Sequence, residues 1–238
     1  MQKYLFALII GLVCAFAQPS KAQKKMEVDL VLVLAADTSG SIDERKYALQ
    51  VDGYRYALSN RRVINAMLSG PLGRVAICYF EWAGGGLQAV RAPWTLIDSP
   101  QSALGFSQNF VELSRVNKSM TSISDAIAFG TTLIENAPYT ANRKVIDITG
   151  DGTNNSGPSL PEMRARALER GIVINALAIL TANPIPRLEP HVNPPGGLEE
   201  YFRQNVIGGP GSFALAADSF ETFGQYLARK LILEIASR

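Results

Sequence analysis

The sequence has few of the side chains that bind soft metal ions or form disulfide bonds. Among its 238 residues there are two cysteines, Cys14 and Cys78, and a single histidine, His191. Zinc sites are usually built from several cysteines and histidines placed close together, and no such group occurs in this sequence. We therefore do not predict a zinc site of that kind, and we expect His191, which lies among prolines, to be an exposed loop residue.

Long runs of one charge are also missing. The formal net charge is +2, and no segment is rich in lysine or arginine, so the chain lacks the basic surface that neutralises a phosphate backbone. We do not expect a nucleic-acid partner. Hydrophobic residues make up 47% of the chain and charged residues 18%, which is typical of a globular protein with a sizeable core.

The chain lacks a hydrophobic segment of membrane-spanning length. The apolar run 5–17 is shorter than the roughly 20 residues that cross a bilayer. It follows the positively charged Lys3 and precedes small residues typical of a cleavage site, so 1–22 is a predicted signal peptide. We expect an exported protein, periplasmic or secreted, whose mature chain has no transmembrane segment. Cleavage would remove Cys14, which excludes an intrachain disulfide, and Cys78 is expected to be a buried thiol.

Runs typical of buried strands alternate with runs typical of amphipathic helices. The first run, 28–36, is almost continuously apolar, which predicts a central strand covered on both faces. The glycines 84–86 between two β-rich runs, 74–82 and 87–94, predict a hairpin. Further strands are predicted at 145–149, 172–180 and, at a sheet edge, 213–216. This order predicts an α/β fold in which a mostly parallel central sheet carries helices on both faces and has one antiparallel edge hairpin.

Three predicted helices have recognisable start signals. Ser99 before a proline is typical of a helix N-cap, and Ser159 with Glu162 matches a capping box. Asp218 is predicted to cap the last helix.

A Pro- and Gly-rich segment, 181–211, interrupts the alternation. It contains one helical candidate near 198–206 and is too long for an ordinary connection, which is typical of a functional or mobile segment. Because no linker or repeat is found elsewhere, we predict a single domain over 27–238 that includes this irregular insertion.

Three groups of polar residues lie where predicted strands end or helices begin. Asp37, Ser39 and Ser41 follow the first strand, Thr121 opens a helix, and Asp151 follows a buried strand. In an open α/β sheet, ligands bind beyond the carboxyl ends of the strands, so we expect these side chains to converge. They offer only oxygen, and a hard cation such as Mg²⁺ prefers about six oxygen ligands. The set therefore predicts a divalent metal site.

Helix capping is an alternative role for the hydroxyl groups. Ser41 with Glu44 matches a capping box, and Ser122 with Asp125 matches a related pattern. Capping does not explain Asp37 and Ser39 beside Ser41, nor Asp151 at another strand end, so metal binding remains the preferred interpretation.

The same residues carry a family resemblance. The segment 37–41, Asp-Thr-Ser-Gly-Ser, resembles the Asp-x-Ser-x-Ser signature of von Willebrand factor type A (VWA) domains, where it begins a metal-ion-dependent adhesion site (MIDAS). The segment 121–127 is similar to the second segment of that family, Thr-Asn-Ile-Gly-x-Ala-Leu. The segment 149–152 resembles the third, Thr-Asp-Gly, with an additional glycine before the aspartate. The order of the three segments implies a Rossmann-like VWA fold.

The resemblance also implies roles for individual residues. Ser39, Ser41 and Thr121 would bind the metal through hydroxyls, and Asp37 and Asp151 would act mainly through bound water. The implied cation is Mg²⁺ first, with Mn²⁺ or Ca²⁺ as alternatives. Because few carboxylates bind it directly, it would attract an Asp or Glu of a protein partner. We find no nucleophile with a general base, so we do not predict an enzyme.

The third segment departs from the family pattern. The run 151–158 is longer and more polar than the usual loop at this position. In this respect the chain resembles a group of secreted bacterial VWA-like proteins of the DUF1194 type. That resemblance implies no particular ligand.

Two other functions remain open at this point. An aspartate after the first strand also occurs in haloacid-dehalogenase-like phosphatases, which would make the protein a metal-dependent phosphatase-like enzyme. The motif of that family is Asp-x-Asp, whereas here Ser39 stands in place of the second aspartate. The third hypothesis is a structural subunit of an envelope assembly without functional metal.

Overall fold

The computed structural model describes residues 24–110, 120–182 and 186–236. The strands in these ranges are β1 Met26–Glu27, β2 Leu30–Asp37, β3 Val75–Trp82, β4 Gln88–Ile97, β5 Tyr139–Thr140, β6 Lys144–Gly150, β7 Ile172–Ile179 and β8 Ala214–Ala217. The helices are α1 Glu44–Ser59, α2 Arg61–Met67, α3 Pro100–Ser107, α4 Ile123–Glu135, α5 Leu160–Glu169, α6 Glu189–Val192, α7 Leu198–Asn205 and α8 Phe223–Ala236. The predicted signal peptide, 1–22, lies outside the described residues and stays a prediction.

Six of the strands form one sheet in the spatial order β4-β3-β2-β6-β7-β8. The pairs are parallel except for β3 with β4, which is the predicted hairpin and forms one edge of the sheet. The predicted short strand β8 forms the other edge. The predicted α/β fold is therefore confirmed. A separate parallel pair, β1 with β5, was not predicted, because strands of two residues are too short to show a hydrophobic pattern.

The central strand β2 is buried along its whole length, as its continuous apolar sequence predicts. Leu32 and Leu34 face a core shared with α1 and α8, whereas Val31 and Val33 face a second core shared with α4 and α5. Side chains alternate between the two faces of a strand, so a strand covered on both sides has no polar face. Each fully buried leucine contributes about 1.5–3 kcal/mol of transfer free energy.

The predicted N-cap residue of α3 is confirmed, whereas α1 has a different N-cap residue from the one considered. The Ser99 side chain accepts a hydrogen bond from the Ser102 backbone N–H, which closes the predicted cap. Helix α1 is capped by Asp43, whose Oδ1 accepts from the Lys46 backbone N–H at 2.8 Å. The capping alternative for Ser41 is therefore wrong, and its hydroxyl is available for other contacts.

Two other predicted caps are also wrong. Ser159 precedes α5 but makes no side-chain cap hydrogen bond. The second residue of this helix is Pro161, which lacks one of the N–H groups that a cap reaches. The last helix begins at Phe223 rather than directly after Asp218, because a turn in which Ser219 N–H donates to Thr222 Oγ1 comes first.

The segment 186–205 contains more regular structure than its composition suggests. After a 3-10 turn at Pro186–Leu188 it forms α6 and then α7, which is the helical candidate predicted near 198–206. Leu198 and Phe202 of α7 are buried in the second core. Helix α6 has little apolar burial and lies at the carboxyl end of the sheet, where it contacts the candidate site described below. Within the described residues, no helix has the length and apolar character needed to cross a membrane.

Candidate metal centre

The five residues predicted to form a metal site lie together at the carboxyl end of the sheet. Asp37 ends β2 and Asp151 follows β6, and these strands are parallel neighbours, so their ends meet at the same edge. Thr121 lies two residues before α4, which packs on the same two strands. Ser41 is half-buried, and the other four side chains are almost completely buried.

The hydroxyl groups form a continuous chain of contacts. Ser41 Oγ donates to Asp151 Oδ1 at 2.5 Å and lies 3.2 Å from Ser39 Oγ. Thr121 Oγ1 donates to Ser39 Oγ at 3.0 Å. The oxygens of three separate segments are thus within hydrogen-bond distance of each other, as the sequence predicts for a shared site.

The Asp37 carboxylate lies beside this chain of hydroxyls and is bonded to the backbone of Ser39. Its Oδ1 accepts from the Ser39 backbone N–H at 2.7 Å, whereas its buried Oδ2 has no hydrogen-bond partner of good geometry among the described residues. Burial, and secondly the negative charge of Asp151, raise the pKa of Asp37 from 3.8 to about 8. A carboxylate this poorly solvated needs a nearby positive charge in order to stay ionised.

The donor chemistry fits a small divalent cation. The centre combines three hydroxyls with two buried carboxylates, one of which has an oxygen that lacks a hydrogen-bond partner of good geometry in the described part of the chain. Oxygen ligands of this kind suit a hard cation, whose charge would offset the mutual repulsion of the carboxylates. The described residues contain no group of three or more His, Cys, Asp or Glu side chains suited to a metal. The candidate ligands are therefore mainly neutral hydroxyls.

Ser122 has the capping role that the sequence allows. Its Oγ accepts from the Asp125 backbone N–H at 3.1 Å and donates to the Asp125 side chain at 2.8 Å. It caps α4, and so it fixes the helix start beside which Thr121 lies.

The sequence did not reveal Lys46 as part of the centre. Its Nζ donates to Asp151 Oδ2 at 3.1 Å, to the Ser41 backbone oxygen at 2.9 Å and to Thr181 Oγ1 at 3.3 Å. The ammonium group neutralises part of the negative charge of Asp151. A lysine in the first turn of α1 has no sequence signal for this role, because Asp151 lies 105 positions away.

His191 is the second residue that the sequence did not assign to the centre. Helix α6 places its Nε2 at 3.2 Å from Thr121 Oγ1, and its Nδ1 lies 3.0 Å from Thr153 Oγ1. The ring is half-buried, and this burial lowers the pKa of His191 below its usual value of 6.5, although Asp151 acts in the opposite direction. The expectation of an exposed loop histidine is therefore wrong, because 186–192 folds back over the sheet end.

The polar run after Asp151, which departs from the VWA pattern, holds the second segment in place. Asn155 Oδ1 accepts from the Thr121 backbone N–H at 2.8 Å, and Asn154 Oδ1 accepts from the Ser124 N–H at 3.0 Å. The Tyr201 hydroxyl in turn accepts from the Asn154 N–H at 3.1 Å. The Asn155 backbone N–H also donates to the Thr121 backbone oxygen at 2.9 Å, so side-chain and backbone hydrogen bonds together orient Thr121.

A cleft of about 540 Å³ opens beside the centre. The residues that line it include Ser41, Thr121, His191, Arg187 and exposed Met120. The hydroxyl chain is therefore accessible from outside at one side, although most of its members are buried.

Comparisons with known proteins agree with this fold. A family model described as "Protein of unknown function (DUF1194)" matches residues 27–238. A search of curated proteins found no match.

Solved structures of low sequence identity share the architecture. The chain is similar to proximal thread matrix protein 1 from the mussel byssus, solved with a zinc-occupied MIDAS motif, at a TM-score of 0.62 and 13% identity over 89% of this chain and 49% of that chain. It is similar to the pilus adhesin SpaC from Lactobacillus rhamnosus GG at a TM-score of 0.61 and 15% identity, covering 89% of this chain and 31% of that one.

A von Willebrand factor type A structure from Catenulispora acidiphila gives a TM-score of 0.57 and 14% identity, with 89% of this chain and 44% of that chain covered. The chain thus spans half or less of the length of these structures, and at such identities the similarity shows the fold alone. The family match and the architecture together assign the chain to the DUF1194 family, with the fold of a von Willebrand factor type A domain.

Proposed function

We propose that this protein is an exported VWA module that holds a divalent cation in a MIDAS-type centre and binds a protein partner through that cation. The proposed ligands, directly or through water, are Asp37, Ser39, Ser41, Thr121 and Asp151. One observation carries the proposal. Hydroxyls of two segments and the Asp151 carboxylate of a third lie within hydrogen-bond distance of each other beside a buried carboxylate, Asp37, whose Oδ2 has no hydrogen-bond partner of good geometry among the described residues.

The mixture of ligands favours binding of an anionic partner group. Ser39, Ser41 and Thr121 are neutral, so the cation would keep much of its positive charge and supply attraction to an incoming carboxylate. An Asp or Glu of the partner could approach through the cleft beside Ser41 and Thr121. The oxygen ligands alone favour Mg²⁺, with Mn²⁺ or Ca²⁺ as alternatives.

The geometry gives less support to a phosphatase-like enzyme. A nucleophilic carboxylate must reach its substrate, but Asp37 is completely buried and its Oδ1 accepts from the Ser39 N–H. The position two residues after Asp37 carries a serine instead of the second acid that such an enzyme uses. The binding module is therefore the better supported function.

Thermal unfolding with added Mg²⁺ or with a chelator tests the metal centre. We expect Mg²⁺ to raise the melting temperature of the wild type, because a ligand that binds only the folded state stabilises it. Thr121→Val, which removes the hydroxyl and nearly keeps the volume, should abolish the rise. The control is Thr132→Val on the exposed side of α4, which should respond as the wild type does. Identical melting of the wild type with metal and with chelator would contradict the proposal.

The partner is tested by retention from a bacterial envelope extract on immobilised protein. Proteins that wild type retains in Mg²⁺, that chelator releases and that Thr121→Val does not retain would support binding through the cation. Retention that is unaffected by chelator and by Thr121→Val would show that any partner binds elsewhere.

A further inference from the structure

His191 lies against the candidate metal centre although it belongs to the insertion. Its Nε2 is 3.2 Å from Thr121 Oγ1, which in turn is 3.0 Å from Ser39 Oγ. The ring also lines the cleft beside the centre. It therefore occupies the side from which a ligand would reach Thr121.

The position of the imidazole is determined by several contacts. The Thr153 backbone N–H donates to the His191 backbone oxygen at 3.0 Å, and Thr153 Oγ1 lies 3.0 Å from Nδ1. The ring passes so close to Gly152 that a Cβ at that residue would lie 2.1 Å from Nε2. Glycine at 152 is therefore required for this approach. The contacts with Thr153 fix both the His191 backbone and the Nδ1 edge of the ring.

The Thr153 hydroxyl can accept from or donate to Nδ1, so it can support the tautomer that a metal-bound imidazole requires. When Nδ1 carries the proton, it donates to Thr153 Oγ1 and leaves the lone pair on Nε2, which is the nitrogen that faces the centre. A hydrogen bond from the second ring nitrogen is the usual way in which proteins orient a metal-binding histidine.

The spacing of the donor atoms suits neighbouring ligands of one ion. Two ligands at right angles, each about 2.1 Å from an ion, lie about 3.0 Å apart. The successive separations from Ser41 to Ser39, from Ser39 to Thr121 and from Thr121 to His191 Nε2 are 3.2, 3.0 and 3.2 Å. His191 thus continues the row of donor atoms that the three hydroxyls begin.

We propose that His191 Nε2 is a nitrogen ligand of this metal centre and makes it selective for Zn²⁺ and related transition ions over Mg²⁺. Imidazole binds Zn²⁺, Co²⁺ and Ni²⁺ well, whereas Mg²⁺ prefers oxygen. The inference rests on the proposed function, because it assumes that the hydroxyl centre binds a cation. Because His191 would fill one coordination position of the ion, the carboxylate of a protein partner would have to bind at another one.

Metal titration calorimetry on the mature protein tests the nitrogen ligand. His191→Gln keeps a polar side chain but removes the imidazole. We expect it to weaken Zn²⁺ and Co²⁺ binding by at least about tenfold and to change Mg²⁺ binding by less than about twofold. Asn193→Ala, at the exposed end of α6, is the matched control and should bind all three ions as the wild type does.

Two further measurements distinguish direct binding of the ion by His191 from a change in the protein structure. The visible absorption of the Co²⁺-loaded wild type should shift and weaken in His191→Gln, because the band reports the ligands of the ion. Thr153→Val, which removes only the group that orients the ring, should weaken Zn²⁺ binding by a smaller factor than His191→Gln does. Circular dichroism of each variant checks that the fold is retained.

The possible outcomes are distinguishable. Wild type that binds Mg²⁺ but shows the same Zn²⁺ affinity and the same Co²⁺ spectrum as His191→Gln would overturn the nitrogen ligand alone. Equal weakening of Mg²⁺ and Zn²⁺ binding in His191→Gln would also overturn it, because His191 would then act only by positioning the oxygen ligands. Wild type that binds none of these ions would overturn both this inference and the proposed metal centre.

Discussion

Ser41 and Asp151 are hydrogen-bonded to each other across 110 positions of the chain, with Ser41 Oγ donating to Asp151 Oδ1 at 2.5 Å. The contact joins the loop after β2 to the loop after β6, two parallel neighbours in the sheet. The same carboxylate accepts from Lys46 Nζ through its other oxygen. Asp151 therefore connects the hydroxyls of the candidate centre to a fixed positive charge, and the first two predictions concern this connection.

The first prediction is that Asp151→Asn abolishes stabilisation by metal. The substitution keeps the size of the side chain but removes a negative charge that contacts Ser41 Oγ and raises the pKa of Asp37. The rise in melting temperature caused by Mg²⁺ or Zn²⁺ should be lost. Asp52→Asn, an exposed acid paired with Arg55, is the control and should leave the rise intact. An undiminished rise in Asp151→Asn would place the bound metal elsewhere.

The second prediction concerns Lys46, which competes with a metal for the charge of Asp151. Lys46→Met should lower the free energy of unfolding without metal by about 1–3 kcal/mol, because a buried carboxylate loses its charged partner. The same variant should bind metal more tightly, since a neighbouring positive charge is gone. Urea unfolding and calorimetry measure the two effects.

Arg45→Met is the control for Lys46→Met. Arg45 is the adjacent residue, and it pairs with Glu221 on the surface, where an ion pair contributes little. Its removal should change stability by less than about 0.5 kcal/mol and leave metal affinity unchanged. Weaker metal binding in Lys46→Met would mean that Lys46 mainly orients Asp151.

The third prediction is a pH dependence that arises away from the metal centre. Lys230 lies buried between Asp147, at 2.6 Å, and Glu234, at 3.4 Å, so one ammonium group faces two carboxylates. Asn175 Nδ2 donates to Glu234 at 2.7 Å. Burial raises the pKa of Glu234 from 4.5 to about 7, with Asp147 acting in the same direction and Lys230 against it.

A raised pKa means that the folded state binds the proton more tightly than the unfolded state. The resulting stabilisation is complete below about pH 4.5 and is lost as the pH rises to about 7, at roughly 1.4 kcal/mol per pH unit. Glu234→Gln imitates the protonated form, so its free energy of unfolding should fall less over this range than that of the wild type. Urea unfolding with chelator at several pH values measures the difference. Glu162→Gln on the exposed face of α5 is the control, and an equal slope in wild type and Glu234→Gln would contradict the prediction.

The fourth prediction concerns the close approach of His191 to Gly152. In Gly152→Ala the new Cβ would lie 2.1 Å from His191 Nε2, so the ring must leave its position. We expect a loss of about 1–3 kcal/mol in the free energy of unfolding, together with the weakened Zn²⁺ binding expected for His191→Gln. Gly105→Ala in α3, where a Cβ meets no atom of the described residues within 4 Å, should instead stabilise the protein by about 0.5–1 kcal/mol. Wild-type Zn²⁺ affinity in Gly152→Ala would show that Zn²⁺ binding does not depend on the position of the His191 ring.

Most of the fold was predictable because strands and helices depend on local patterns. The continuous apolar run of β2, for example, reflects burial that this strand requires by itself. Helix starts were predicted less well, since several residues near α1 could act as a cap and the backbone path selected Asp43 over Ser41.

The alternation of buried strands and helices follows from local hydrophobic patterns, which also place Asp37, Thr121 and Asp151 at element ends that a parallel sheet brings to one edge. The pairing of Lys46 with Asp151 and the approach of His191 to Thr121 depend instead on how distant segments pack together. These contacts join residues 105 and 70 positions apart. The first depends on how α1 packs on the sheet and the second on the path of a Pro-rich insertion, and neither path follows from hydrophobic periodicity.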